Sequence, residues 1–152
     1  MANSSTYQDI PNLSEISRRR GLKFLHLNVC SLLPKLDEIQ MLLQGYKNID
    51  CFSGTETHLS AQVSADEIGI QGHTIYRLDR QAQTRRGDVA VYVRDCLSVS
   101  RHYDLGLKSV EGIWLEILIT KSTKSLLSTL FRRPVGSHFI SEDFNTKAGG
   151  QP

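Results

Sequence analysis

One carboxylate stands where chemistry is often placed. In "FSGTETHLS", residues 52–60, an apolar run from Ile49 to Phe52 ends in small residues and Glu56 follows at once. A strand leaving a core in this way can deliver its last acidic residue to a site, and it can equally end in a solvated charge. Asn28 closes "LKFLHLNV" in the same manner, where an asparagine is either a site residue or a turn residue. His58 lies two positions after Glu56 and is expected to pack or to face solvent rather than to act. His26 lies inside a strand pattern and is expected as a satisfied core histidine, and Trp114 is expected in the core. Cys30, Cys51 and Cys96 form no CxxC and no Cys/His pair at zinc spacing, so they are expected as reduced core thiols.

The elements that must position these residues are legible by period. "LKFLHLNV" is apolar on most of both faces, as for a strand covered on both sides. "SLLPKLDEIQMLLQGY" spaces Leu36, Ile39, Leu42 and Leu43 helically, with Pro34 in the first turn, acids near the dipole's positive end, and Gly45 as a stop. "NIDCFSGTET" is a second buried strand, so residues 22–57 predict a parallel β-α-β unit. After it come "GIQGHTIYRLDR", "GDVAVYVRD", "LSVSRHY", "VEGIWLEILIT" and "KSLLSTLFRRP", five strand candidates without a clear intervening helix. Val89, Val91 and Val93 share one face, and so do Ile113, Leu115, Ile117 and Ile119. An antiparallel meander after a β-α-β start predicts an α/β protein with mixed sheets. The organisation expected is a flexible lead-in over 1–20, an ordered domain over 21–134 and an irregular tail over 135–152.

The bulk composition excludes little. The chain has 152 residues, 22% of them charged, with a net charge of +2, which permits a polyanionic partner without requiring one. The "RRR" at 18–20 is either a solvated charge run or a phosphate contact. No stretch approaches the ~20 apolar residues of a membrane helix. The N-terminus lacks the apolar centre of a signal peptide, so an intracellular protein, nuclear or cytoplasmic, is expected.

"LHLNVCSLLPKLDEIQMLL", "IDCFSGTETHLS", "GDVAVYVRD", "EGIWLEI" and "LLSTLFRRP" follow one another in an order that resembles the endonuclease domain of non-LTR (LINE-type) retrotransposons. That domain is a member of the endonuclease/exonuclease/phosphatase superfamily, alongside apurinic endonucleases and DNase I. The resemblance spans residues 22–134. It implies a DNase I-like four-layer α/β sandwich, here incomplete, and metal-dependent hydrolysis of a DNA phosphodiester. Glu56 matches the glutamate that binds Mg²⁺, with Mn²⁺ as a substitute, and Asn28 matches the active-site asparagine. A hard carboxylate oxygen suits Mg²⁺, which neutralises charge building on the phosphate. Relatives in the superfamily that cleave lipid or small phosphates provide the other enzymatic reading.

The departures from that pattern matter as much. Phe131 stands in "FRRP" where the family has a tyrosine, Asp88 stands at a family glycine, and Cys30 replaces an acid found in some relatives. The family's Asp-x-Asn strand and terminal Ser-Asp-His are missing; Asp143 and Asn145 in "EDFN" have the internal spacing but follow Pro134 too closely. The chain is therefore expected to be a truncated and inactive copy, either an inert remnant or a weak nucleic-acid binder. Leu115, Ile117, Leu126 and Leu130 are expected on an apolar face that such a truncation leaves uncovered.

Overall fold

The structure, a computed structural model, describes residues 13–79, 88–105 and 111–131. These form a mixed α/β arrangement of two sheets. Strands β1 (Phe24–Asn28), β2 (Cys51–Thr55), β3 (His73–Leu78) and β4 (Val89–Arg94) make a four-stranded sheet in the order β1-β2-β4-β3. Strands β5 (Ser98–His102), β6 (Glu111–Leu118) and β7 (Lys124–Phe131) make a three-stranded antiparallel meander. Among the described residues no helix is long and apolar enough to cross a membrane.

The β-α-β unit forms as its pattern predicts. Pro34 sits in a 3-10 turn, Leu33–Lys35, and helix α2, Leu36–Gly45, continues from it. Ile39 and Leu43 are buried on one side of α2, while Asp37 and Glu38 occupy its first turn. The return strand β2 is buried along its whole length and pairs in parallel with β1. Part of the expected lead-in is ordered: Leu13–Arg18 form a short helix, α1, and Leu13 is buried in the core beside Leu32 and Ile39.

The four-stranded sheet has a core on each face. On the helical face Phe52 and Tyr92 pack with Val29, Leu32, Ile39, Leu43, Leu59 and Ile68. Tyr92 is fully buried, and its hydroxyl donates to the Ile68 carbonyl at 2.7 Å, so the polar atom that enters the core is satisfied. On the other face Val89, Val91 and Val93 meet Ile113, Leu115 and Ile117 of β6, as the period-2 pattern predicts, whereas Ile119, expected beside them, lies past the end of β6 and is exposed.

Further expectations are corrected here. β1 is not covered on both sides: Phe24, His26 and Asn28 are exposed, because β1 is a sheet edge and the meander packs over β3 and β4. Leu115 and Ile117 are not on an uncovered face but are buried against the β4 valines, and Leu126 and Leu130 do not share that face. Leu115 pairs with Leu127 and Glu116 with Leu126, so alternation puts Leu126 and Leu130 on the outer face, where both are exposed. Trp114 lies on that outer face and is only half-buried. Of the cysteines only Cys51 is buried, which, with Asp50 beside it, pushes its thiol up to about 12; Cys30 and Cys96 are exposed.

His26 is on the exposed face of β1 rather than in the core, with Nδ1 2.7 Å from Ser53 Oγ. Partial burial lowers its pKa from 6.5, so the folded state favours the neutral ring. The stability this represents is intact above the ordinary imidazole pKa of 6.5 and is lost as the pH falls below it, because the unfolded chain takes up the proton more readily. Urea midpoints measured at pH 8 and 5.5 should therefore drop further for the wild-type chain than for His26→Gln. Parallel drops would show that His26 contributes nothing to the acid limb.

Candidate functional site

Parallel pairing brings the two singled-out residues to one end of the sheet. Asn28 is in register with Thr55, and Glu56 is the next residue of the chain. The antiparallel neighbour β4 begins at the same end, since Thr55 is in register with Val89, and Asp88 precedes it. Three chain segments thus meet here: the turn after β1, the turn after β2 and the entry to β4.

The first two turns are bound to each other through their backbones. Val29 N donates to Thr55 O at 2.9 Å, Ser31 N to Glu56 O at 2.8 Å, and Leu32 N to Thr57 O at 2.9 Å. Gly54 eases this approach, since a Cβ there would lie 3.2 Å from Val29 Cγ1 and would push that side chain aside by a few tenths of an ångström. Asn28 Oδ1 accepts from Cys30 N at 3.1 Å, an Asx turn that commits the amide oxygen and leaves the NH₂ group as the donor Asn28 can offer outward. Lys35 Nζ donates to the Val29 carbonyl, placing a cation close behind Asn28.

The backbone in these turns is left-handed at four residues that are not glycine: Cys30 (φ 46°), Ser31 (φ 88°), Glu56 (φ 55°) and His58 (φ 54°). Each such residue costs on the order of 1–2 kcal/mol, and surrounding interactions must offset it. They are concentrated where Asn28 and Glu56 leave the sheet. Thr57, between two of them, is buried, while Glu56 is half-buried and His58 is exposed. His58 thus faces solvent, one of the two placements its sequence position suggested.

The rest of the Glu56 turn is tied down from two sides. Asp88 is buried; its Oδ1 accepts from Thr57 Oγ1 at 3.0 Å and from the His58 amide, and its carbonyl accepts from Thr57 N at 3.3 Å. Farther along, Arg77 donates to Val63 O at 2.7 Å and Ser60 O at 2.8 Å and forks onto the Asp79 carboxylate. Leu59, between these anchors, is buried in the helical-face core. In sequence Asp88 appears only as a departure from a glycine. Its role depends on β4 lying beside β2, a pairing that no local pattern reveals.

Among the described residues no three His, Cys, Asp or Glu side chains converge to hold a metal. A groove of about 300 Å³, lined in part by Lys47, His73 and Arg94, lies at the opposite end of the sheet. Asp143 and Asn145 lie outside the described residues, as do Arg132–Pro134 of "FRRP".

No protein-family model matches the chain, and no curated protein matches it.

Proposed function

We propose that the chain carries the asparagine–glutamate half of a metal-dependent DNA-nicking site of the retroelement endonuclease kind, in a DNase I-like sandwich. We further propose that these 152 residues do not turn over by themselves. The observation that carries the reading is the register: Asn28 opposite Thr55, with Glu56 following, at the end where β1 and β2 both finish. A ligand carboxylate and a neutral hydrogen-bond donor at adjacent strand ends suit a phosphodiester oxygen bridged to a divalent cation.

The donor set fits a loosely held Mg²⁺. Glu56 supplies one half-buried hard oxygen ligand, and Mg²⁺ keeps most of its waters when so few anionic ligands are offered. Bound there, the ion would neutralise charge on the phosphate. Asn28, through its NH₂ group, would orient a phosphate oxygen without adding a second negative charge. Lys35 adds positive charge behind the same turn. Binding without turnover is the form of the reading that the residue content favours, since the chain contains no Ser-Asp-His.

Titration of the chain with Mg²⁺ and with Mn²⁺ should show weak binding that Glu56→Ala removes. A tight site that survives Glu56→Ala would mean that the ligand has been misassigned.

A further inference from the structure

We infer that Asp88 is a positioning residue for Glu56: its buried carboxylate fixes the turn after β2 and so sets the direction in which the Glu56 side chain leaves the sheet. Glu56 and His58 both adopt left-handed backbone that glycine would take without strain. The chain has a glutamate and a histidine there, so neighbouring groups must impose the conformation. The turn after β1 holds only carbonyls of this segment, those of Glu56 and Thr57. The amides are held from the other side. Asp88 O takes the Thr57 N–H, and Asp88 Oδ1 takes the His58 N–H together with the Thr57 hydroxyl. Both peptide units flanking Thr57 are therefore fixed at each end, and Asp88 supplies the amide end of both.

The choice of residue follows from this geometry. An ionised carboxylate is acceptor-only and can take two donors on one oxygen, and hydrogen bonds to a charged acceptor are stronger than neutral ones. Glycine, the family residue at this place, has no side chain to do it. Asp88 immediately precedes β4, and the β2–β4 register of Thr55 with Val89 carries it to the turn. The consequence for metal binding rests on the reading of Glu56 as a ligand; the positioning itself does not.

The test uses the full chain with Asp88→Ala, Asp88→Asn and Thr57→Val, read by amide exchange at His58 and by Mn²⁺ binding in paramagnetic relaxation. Asp88→Ala should speed His58 exchange about 10-fold or more, the loss expected of a charge-assisted hydrogen bond, while the β2–β4 amides of Phe52 and Tyr92 keep their protection. It should also weaken Mn²⁺ binding to the level of Glu56→Ala. Asp88→Asn keeps an oxygen acceptor and should restore both readouts to within about three-fold of the parent. If Asp88→Ala does not fold, Thr57→Val, which removes only the hydroxyl donor, should still speed His58 exchange relative to Thr57→Ser.

Unchanged His58 exchange in Asp88→Ala, or an Asp88→Asn chain as impaired as Asp88→Ala, would overturn the proposal. Faster exchange in Asp88→Ala, in a parent whose Mn²⁺ binding ignores Glu56→Ala, would support the positioning role and sink the metal reading alone.

Discussion

Leu115→Ala should destabilise the chain by about 2–5 kcal/mol, the usual cost of emptying a core leucine site, whereas Leu126→Ala should cost less than about 0.5 kcal/mol. The two residues sit on adjacent strands and are both leucines in strands rich in apolar residues. Leu115 is 0% exposed and is wedged between the sheets against the β4 valines, but Leu126 is 55% exposed on the far face of the meander. The loss at Leu115 combines transfer of the side chain with a cavity that the facing valines cannot close, since they are fixed by pairing on both sides. Urea unfolding of both variants measures the difference. Equal costs would mean that β7 is one residue out of register, since a one-residue slip exchanges its two faces.

That pair of residues also shows what a sequence can and cannot convey about this fold. The helical spacing of Leu36, Ile39 and Leu43 and the run Ile49–Phe52 report local geometry, and α2 and β2 appear where they indicate. Val89, Val91 and Val93 likewise mark a strand with one buried face. "KSLLSTLF" is apolar at Leu126, Leu127 and Leu130, so period alone does not choose a face; pairing with β6 chooses it. The same limit explains β1. Its two apolar faces suggest full cover, but its place at the sheet edge leaves Phe24 45% exposed. Trp114 reads as core because it is large and flanked by isoleucine and leucine, yet it alternates onto the face away from the valines.

The candidate site divides along the same line. Asn28 and Glu56 stand out because each follows an apolar run, and parallel pairing of β1 with β2 brings the ends of both strands to one side. The left-handed turns are bound to each other by contacts between the ends of β1 and β2, and the grip of Asp88 spans 30 or more positions of chain, from the turn after β2 to the entry to β4. A carboxylate after "RRG" reads locally as part of a polar turn.

The chain by itself should not nick supercoiled plasmid measurably in Mg²⁺ or Mn²⁺. A positioned general base and an electrostatic group at the phosphate each contribute typically about 10²-fold or more in rate. On the proposed reading Glu56 would hold a cation and Asn28 would orient an oxygen, which assigns no group to deprotonate the attacking water. Asp88 brings another carboxylate to these strand ends, and it is buried and engaged with Thr57 and His58, so it is poorly placed to serve as that base. The missing contributions act as a unit and do not sum, yet without a base the remaining pair supplies only binding and orientation. Wild type and Glu56→Ala, purified in parallel and assayed at equal concentration, make the comparison. Nicking that persists equally in both would identify a contaminating nuclease and leave the expectation standing. Nicking present in wild type and lost in Glu56→Ala would overturn it, and would direct attention to Asp143 and Asn145, or to a second chain, as the source of the base.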